Sequence, residues 1–339
     1  MRTQVLAAGL GTRLRPLTYE IPKPMVPVLD RPVMAHIVDL LAHHGFGPVV
    51  ANLHCFPDTI RGYFGDELEY RHEAVLLGTA GGVRNCQDFL CAEGNRPFLV
   101  ISGDALTDVD LRRMRERHES AGGVATLAVK RVADTREYGV VLHDAEGRVT
   151  GFQEKPDPAE ALSDLGNCGI YMFSPEIFDF FGERQFADWA QDVFPALLEH
   201  DVPFFIHDLG QEYWSDVSSL DELHQGIVDV LTGDLELPAE GETVAEGVRL
   251  GEGSGFEGAA LIEPPVWIGR DVRVEAGARL QGPLVLGDGA VVGADAVVRE
   301  SIVFPGTEIA AEAILIGAIA GHRGILEHLR PRHPAGPRA

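Results

Sequence analysis

Short apolar runs alternate with amphipathic segments along the first two-thirds of this 339-residue chain. Runs bounded by Gly, Pro or Asp predict strands, and apolar residues at helical spacing predict helices. The predicted strands are Gln4–Ala8, Val49–Leu53, Phe98–Ser102, Val124–Lys130, Gly139–Leu142, Gly169–Phe173 and Pro203–His207. The predicted helices are Val33–His43, Ala80–Phe89, Asp110–Ser120, Trp189–Glu199 and Leu220–Leu231. This alternation is typical of a layered α/β domain, which we expect over residues 1–232.

A different pattern begins after Leu231. Residues 233–258 are rich in Gly and Glu, and we expect a linker there. Beyond it, apolar residues recur at every sixth position: Ile262, Ile268, Val274, Leu280, Leu286, Val292, Val298, Phe304, Ala310 and Ile316. A second register, two residues earlier, contains Val266, Val272, Ala278, Leu284, Ala290, Ala296, Ile302 and Ile314.

This six-residue period predicts a hexapeptide-repeat parallel β-helix of about three turns over residues 259–320. Glycines follow the main register at several corners, where a tight turn favours them. An ordinary β-rich domain is the alternative. The tail, residues 321–339, contains Pro and Arg, and we expect it to be partly disordered.

The composition narrows the class of protein. The formal net charge of −24 argues against nucleic acid or an anionic membrane as a partner. No apolar run approaches the ~18–20 residues that span a bilayer, and no signal-peptide pattern occurs at the N-terminus. The four cysteines are scattered without a CxxC pair, which is typical of reduced thiols. We therefore expect a cytoplasmic location.

A glycine-rich loop follows the first predicted strand. Leu6, Ala7 and Ala8 lead into Gly9-Leu10-Gly11-Thr12-Arg13, and Lys23 follows between two prolines. Small residues let backbone N–H groups approach a phosphate, and the cations would stand beside it. Leu14 stands where a dinucleotide fingerprint needs Gly or Ala, and the chain has no GxxxxGK[ST] run. The loop indicates a phosphate-handling enzyme, although such a loop can also simply turn a corner.

Four further segments carry candidate chemistry. Asp104 follows a predicted strand and Asp216 precedes a predicted helix, so both are candidate Mg²⁺ ligands. The alternative for each carboxylate is a helix or turn cap. Glu154 and Lys155 offer an acceptor and a cation to a hydroxylated phosphate ester, or they form a solvated turn. Leu77–Gly82 opens a helix with small residues and N–H groups, or is a simple N-cap formed by Thr79.

Eight segments, taken in order, resemble the sugar-1-phosphate nucleotidyltransferases, also called nucleotide-sugar pyrophosphorylases. They are Gly9–Thr18, Pro22–Pro24, Leu77–Gly81, Ser102–Asp104, Tyr138–Val140, Glu154–Pro156, Asn167–Tyr171 and Tyr213–Val217. Val100–Asp108 and Asp192–Pro195 are similar to segments of the mannose-1-phosphate guanylyltransferase-like branch. The resemblance implies a Rossmann-like, mixed-sheet (GT-A-like) nucleotidyltransferase domain followed by a short left-handed parallel β-helix.

The resemblance also implies a reaction. A nucleotidyl group passes from a nucleoside triphosphate to a sugar 1-phosphate, giving a nucleotide-sugar and pyrophosphate with Mg²⁺ as cofactor. GTP with mannose 1-phosphate is the first choice of substrates, and UTP or dTTP with glucose 1-phosphate is the alternative. The β-helix is expected to form a homo-oligomer.

Site residues carry over by position in this sequence. The implied nucleotide-binding residues are Leu6, Ala8, Gly9, Gly11, Thr12, Arg13, Lys23, Gly78 and Thr79. Arg13, Lys23 and Asp104 are implied to be catalytic, and Asp104 and Asp216 to hold the metal. The implied sugar-phosphate residues are Gly139, Glu154, Lys155 and Asn167. Leu76 and Ser218 depart from the usual Pro and Gly of the family, which bears on base choice and on the metal loop.

Two other classes of protein are alternatives to a nucleotidyltransferase. A hexapeptide β-helix also occurs in acyltransferases, but these generally use a histidine within the coil, and none lies between Gly251 and Gly321. A catalytically weak subunit that binds a nucleotide-sugar and regulates a partner is the second alternative. The retention of Arg13, Lys23, Asp104, Lys155 and Asp216 favours an enzyme.

Overall fold

The computed structural model describes residues 1–321 and 324–328. The chain folds as two compact units. The first contains Met1–Thr12, Thr18–Met25 and Val33–Asp216, and the second contains Arg13–Leu17, Val26–Pro32 and the chain from Val217. None of the helices in these described residues has the length and apolar character needed to cross a bilayer.

The segment up to Asp216 alternates strands and helices. Its strands are β1 Thr3–Leu6, β2 Pro27–Val28, β3 Arg31–Pro32, β4 Val49–Leu53, β5 Glu69–His72, β6 Phe98–Ser102, β7 Ala105–Thr107, β8 Ala125–Arg131, β9 Gly139–His143, β10 Val149–Glu154, β11 Leu165–Phe173, β12 Phe205–Asp208 and β13 Trp214–Asp216. Its helices are α1 Val33–His44, α2 Pro57–Phe64, α3 Gly78–Arg84, α4 Gln87–Leu90, α5 Leu111–Ala121 and α6 Phe194–Glu199. The predicted α/β class is confirmed.

A nine-stranded mixed sheet organises the first unit. Its main order is β10-β9-β11-β6-β1-β4-β5, and β8 pairs with both β11 and β12. β1 runs parallel to β4 and β6, so that Leu6 is in register with Asn52 on one side and with Ser102 on the other. The carboxyl ends of three parallel strands therefore meet at one edge, where open α/β sheets bind ligands.

Side chains alternate between the two faces of this sheet. Along β6, Leu99 and Ile101 belong to one apolar cluster, and Phe98 and Val100 belong to the other. This alternation is the two-residue period of a strand that is buried on both faces. α1 covers the first cluster, and the second contains Trp189, whose ring stacks 4.5 Å from that of Phe173.

Several predicted elements differ from those observed. The predicted helix Ala80–Phe89 is divided into α3 and α4, and Trp189–Glu199 is a π-helical turn, Trp189–Val193, followed by α6. The second division falls beside Pro195, which lacks the N–H that a continuous α-helix requires. β5 and β10 were not predicted, because both lie at sheet edges and carry few apolar residues.

The second unit contains α7 Leu220–Thr232 and a stack of short strands. These strands are β14 Glu242–Ala245, β15 Val248–Leu250, β16 Gly255–Phe256, β17 Leu261–Glu263, β18 Val266–Ile268, β19 Arg273–Val274, β20 Arg279–Gln281, β21 Leu284–Leu286, β22 Val291–Val292, β23 Val297–Arg299, β24 Ile302–Val303, β25 Glu308–Ile309, β26 Ile314–Ile316, β27 Ala318–Gly321 and β28 Gly324–His328. They form three sheets, in which the successive coils pair in parallel. This arrangement is a parallel β-helix, as expected, and its handedness stays a prediction.

The β-helix begins earlier than the hexad pattern indicated. The expected linker, residues 233–258, contains β14, β15 and β16, and the last two pair in parallel with β18 and β19 as a first coil. Leu250 and Phe256 continue the main six-residue register backwards and pack against the apolar core of the β-helix, but the Gly- and Glu-rich sequence around them indicated a linker. Of the tail expected to be disordered, residues 324–328 form β28; residues 322–323 and 329–339 lie outside the described residues.

The strict hexad register fails in the last coil. Val266 pairs with Leu284, whereas Leu286 pairs with Val303, so the repeat is one residue shorter there. As a result Val303 and Leu315 are buried, while the hexad position Ile316 is 41% exposed. The second register shifts in the same way: Ser301 is buried and Ile314 is 70% exposed. Ile302 pairs with Ile319, so the following repeat is one residue short as well. Each one-residue deletion moves the apolar residues by a single position, which is why the sequence pattern concealed it.

Candidate functional site

A cleft of about 310 Å³ lies at the carboxyl ends of β1 and β6 in the first unit. Its lining is Leu6, Ala8, Gly9, Lys23, Pro24, Asn52, Glu73, Leu76, Gly78, Thr79, Ser102, Asp104 and Phe186. Six of the implied nucleotide-binding residues are therefore brought together. Asn52, Glu73, Ser102 and Phe186 were not predicted.

Lys23 lies between two carboxylates at this cleft. Its ammonium nitrogen forms an ion pair with Asp104 and lies 3.2 Å from Asp216 Oδ1. All three side chains are largely buried, with 12%, 18% and 24% of Lys23, Asp104 and Asp216 exposed. Ser102 donates its hydroxyl to Asp104 Oδ1 at 2.5 Å, so that Asp104 is held from both sides.

These contacts shift the pKa values of Lys23 and Asp104 in opposite directions. Burial lowers the pKa of Lys23, but Asp104 and Asp216 outweigh burial and hold it above its ordinary value. Burial raises the pKa of Asp104, and the charge of Lys23 with hydrogen bonds from Lys23 and Ser102 brings the pKa below its ordinary value. Both groups are therefore charged at neutral pH.

A short two-stranded ladder explains why residues so distant in sequence meet. β13 pairs with β7 in antiparallel fashion, which places Asp216 opposite Ala105, the residue next to Asp104. The preceding Trp214 donates its indole N–H to Cys168 O at 3.0 Å and contacts the ring of Tyr138 edge-on. The aromatic residue therefore anchors β13 to β11 and orients the carboxylate that follows it.

The donor set fits a divalent cation with a preference for oxygen. Asp104 and Asp216 converge on one cation, and Mg²⁺ typically takes one or two carboxylates together with substrate phosphates. No group of three or more His, Cys, Asp or Glu side chains suited to a metal occurs in the described part of the chain. Further ligands would thus have to be substrate phosphate oxygens or water.

The glycine-rich loop is shaped by Gly11. Its φ is +60°, and an added Cβ would lie 2.9 Å from Thr18 Cγ2 and 3.0 Å from Lys23 Cβ. Thr18 donates its hydroxyl to Gly11 O at 2.7 Å, which closes the loop over Lys23. Thr12 and Arg13 follow on an exposed 3₁₀ turn, and their phosphate contacts stay predictions.

The segment around Gly78 is held by the loop at Ala187. Ala187 O accepts the N–H groups of Ala80 and Gly81 at 3.0 and 2.9 Å, so these two N–H groups are not available to a ligand, contrary to the sequence interpretation. Gly78 has φ +79°, and a Cβ there would overlap Ala187 O. Thr79 is not the N-cap either: its hydroxyl donates to Asp188 Oδ2 at 2.8 Å.

A buried amide and carboxylate link the two backbone segments of the cleft. Asn52 Oδ1 accepts the N–H of Ala7 at 3.1 Å, and Asn52 Nδ2 donates to Glu73 Oε1 at 2.7 Å. Glu73 Oε2 in turn accepts the N–H of Leu77 at 3.1 Å. Asn52 and Glu73 are each only 3% exposed. The sequence did not predict this link, because neither residue belongs to a recognisable motif.

The implied sugar-phosphate residues lie on three adjacent strands. Glu154 on β10 pairs with Gly139 on β9, and a Cβ on Gly139 would lie 3.3 Å from Glu154 Oε2. Asn167 on β11 donates to the hydroxyl of Tyr171 at 2.8 Å and accepts from the N–H of Gly169. Lys155 is exposed, with φ +45° and its N–H donated to Tyr138 O.

The chain matches known proteins over most of its length. A family model described as Nucleotidyl transferase matches residues 3–233. The chain is 35% identical over 335 residues to a UTP–glucose-1-phosphate uridylyltransferase of Synechocystis, covering 93% of this chain and 86% of the relative. It is 31% identical over 305 residues to a mannose-1-phosphate guanylyltransferase of Mycobacterium tuberculosis, covering 87% and 82%.

Solved structures share the fold. One from Bacillus anthracis, described as a glucose-1-phosphate thymidylyltransferase, has a TM-score of 0.61 at 22% identity, over 70% of this chain and 97% of the other. The mixed sheet with a glycine-lined cleft at its carboxyl edge thus defines a nucleotidyltransferase fold. The chain belongs to the nucleotidyl transferase family, which confirms the resemblance drawn from its motifs.

Proposed function

We propose that this protein transfers a nucleotidyl group from a nucleoside triphosphate to a sugar 1-phosphate, producing a nucleotide-sugar and pyrophosphate. The observation that carries this proposal is Lys23 held between Asp104 and Asp216 at a cleft lined by the glycine-rich loop. One fixed cation and two carboxylates suit a reaction between two phosphate groups. The names of the uridylyltransferase and guanylyltransferase relatives support the same class of reaction.

In the proposed reaction, a phosphate oxygen of the sugar 1-phosphate attacks the α-phosphorus of the nucleotide. The bond from that phosphorus to the oxygen bridging the β-phosphate breaks, and pyrophosphate leaves. No strong general base is required, because the attacking oxygen is already anionic. Catalysis then depends on positioning and on neutralising charge.

Each charged residue has a part in this scheme. Release of Lys23 from Asp104 frees its ammonium to bind the triphosphate and, with Arg13, to neutralise the departing pyrophosphate. Asp104 and Asp216 would hold Mg²⁺, which when bound supplies positive charge at the α-phosphate. Lys155 orients the sugar phosphate.

Hydrogen bonds to the sugar complete the proposed site. The amide of Asn167 donates to and accepts from sugar hydroxyls, and the carboxylate of Glu154, beside Gly139, accepts from them. The backbone around Ala8, Gly9, Gly78 and Thr79 holds the nucleoside.

We infer GTP with mannose 1-phosphate as the substrate pair, with UTP or dTTP and glucose 1-phosphate as the alternative. The 31% identity to a mannose-1-phosphate guanylyltransferase supports the first pair. The 35% identity to a uridylyltransferase supports the alternative.

The test is pyrophosphate release with Mg²⁺ from GTP, UTP, dTTP, ATP and CTP, each paired with mannose 1-phosphate and with glucose 1-phosphate. One dominant pair would establish the reaction and name the product. GTP with mannose 1-phosphate is expected. A uridine or thymidine pair would overturn the substrate inference but keep the reaction class.

Silence across the panel would favour the regulatory-subunit alternative. Calorimetry with GDP-mannose and UDP-glucose then decides, because a regulatory subunit still binds a nucleotide-sugar in the cleft. Binding without turnover would overturn the enzymatic proposal. Cytoplasmic location and assembly through the β-helix remain predictions, and sedimentation of the full chain tests the second.

A further inference from the structure

A second pocket of about 310 Å³ lies at the starting ends of β1 and β6, away from their carboxyl ends. It is formed by residues just before the two strands and by one face of α5. Its charged lining is Arg2, Arg96, Arg115, Glu93 and Glu119. Three guanidinium groups thus face two carboxylates, although the whole chain carries a formal charge of −24. A basic pocket in so acidic a chain needs an explanation.

Two guanidinium nitrogens in this pocket lack an acceptor. Arg2 Nε and Arg115 Nε are buried without a hydrogen-bond partner in the described part of the chain. Glu93 Oε1 lies 3.7 Å from Arg2 Nε, and Glu119 Oε1 lies 3.8 Å from Arg115 Nε, both beyond hydrogen-bond distance. Buried donors without acceptors are rare because each costs about 1–3 kcal/mol. An oxyanion in the pocket would satisfy both nitrogens.

Arg2 is held in place by contacts within the protein. The guanidinium carbon of Arg2 lies 4.5 Å from the centroid of the Phe89 ring, which fixes its plane. The backbone carbonyl of Arg2 accepts the N–H of Leu99 at 3.1 Å, so the residue is anchored to β6. Arg96 is 79% exposed and pairs with Glu93 at 3.2 Å, which leaves it free to turn towards a bound anion.

We propose that this pocket binds a small phosphate-bearing anion at a site separate from the cleft. Phosphate offers several acceptor oxygens to planar guanidinium donors, which bind it in bidentate fashion. Glu93 and Glu119 also line the pocket, as weak internal competitors for the arginines. The ligand class is inorganic phosphate, pyrophosphate or the phosphoryl group of a small metabolite. The proposal is independent of the reaction assigned to the cleft.

The test is calorimetric titration of the full chain with inorganic phosphate and, separately, with pyrophosphate. A Lys23→Ala background weakens anion binding in the cleft, so that the change produced by a further arginine substitution reports the second pocket. We expect Arg115→Gln in this background to weaken binding at least about tenfold. Arg131→Gln, which removes an exposed arginine paired with Asp164, is the matched control and should change nothing.

Glu93→Gln should change the affinity for phosphate in the opposite direction. Removing this carboxylate frees Arg2 and Arg96, and we expect phosphate to bind about twofold to fivefold more tightly. A purely structural ion pair would show no such gain. Arg96→Gln, at an exposed position, covers the case in which Arg115→Gln lowers the melting temperature. The proposal is overturned if the Lys23→Ala protein binds neither anion at about 10 mM, or if the arginine variants bind as tightly as their parent.

Discussion

Asp104 is the residue at which the charges of the cleft meet, because it contacts Lys23 and Ser102 while it is largely buried. We expect Asp104→Asn to reduce turnover by about 10²–10³-fold, since a preorganised charge is lost at the reacting phosphates. The asparagine has nearly the same shape, so the fold should be kept. Pyrophosphate release and the melting temperature measure the two effects.

Asp164→Asn is the matched control for that variant, because Asp164 is an exposed carboxylate paired with Arg131. It should leave turnover unchanged. Equal turnover by the Asp104→Asn and unmodified proteins would remove Asp104 from the catalytic assignment, whereas a collapsed melting curve would show that its role is in folding.

Gly11 and Gly9 form a matched pair within one loop. Gly11 has φ +60° and no room for a Cβ, whereas nothing lies within 4 Å of a Cβ on Gly9. We expect Gly11→Ala to lower the free energy of unfolding by about 1–3 kcal/mol because of strain and crowding against Thr18. Gly9→Ala should change it by less than about 0.5 kcal/mol. Urea denaturation compares them, and equal losses would contradict the geometry.

At the scale of elements, the sequence predicted the central strands well and the edges poorly. Phe98–Ser102 and Val49–Leu53 are observed with their predicted bounds, because continuous burial on both faces gives a continuous apolar run. β5 and β10 are edge strands, whose polar sequences resemble loops. For this reason the sequence around Glu154 is also compatible with a solvated turn, although Glu154 is the last residue of β10.

Residues of the candidate site could be predicted from the sequence only where they belong to a recognisable motif. Lys23, Asp104 and Asp216 stand in recognisable segments, and the structure brings them together. Asn52 and Glu73 do not, because their importance comes from hydrogen bonds that join separate loops. A pattern along the chain contains no information on such a link until the strands are paired.

His118 ties α5 to the sheet and makes the fold sensitive to acid. Its ring nitrogens lie 3.0 Å from Thr126 Oγ1 and 3.1 Å from Ser174 Oγ. Burial lowers its pKa from 6.5 to about 4, so folding favours the neutral ring. The stabilisation is complete above pH 6.5 and is lost as the pH falls towards 4.

The expected result is a lower urea midpoint at pH 5 than at pH 7.5, with a smaller difference in a His118→Gln variant. The pKa of His207 is also lowered to about 4 by burial and neighbouring arginines, so some pH dependence should remain in that variant. His200→Gln, at an exposed position, serves as the control. An unchanged pH dependence after His118→Gln would contradict this assignment.

The shortened coil of the β-helix can be tested at two adjacent residues. Leu315 is 5% exposed, and Ile316, which a strict hexad would bury, is 41% exposed. We expect Leu315→Ala to cost about 2–3 kcal/mol of unfolding free energy and Ile316→Ala less than about 1 kcal/mol. The reverse order would mean that the hexad register continues through the last coil.

At the scale of the whole molecule, the charge of −24 opposes the approach of a nucleoside triphosphate to the cleft. Lys23 acts only at short range, because Asp104 and Asp216 compensate its charge. Long-range repulsion therefore dominates the encounter at low salt, when the Debye length is about 30 Å, and is screened when it is about 10 Å.

We expect kcat/KM for the triphosphate to rise about twofold to fivefold between 0.01 and 0.1 M of an inert salt at constant free Mg²⁺. The kcat should change little, since the contacts within the cleft are short and partly buried. Initial rates of pyrophosphate release at subsaturating triphosphate measure this effect. A fall in kcat/KM over that range would mean that local cations, Arg13 among them, attract the substrate beyond contact distance and outweigh the charge of the whole chain.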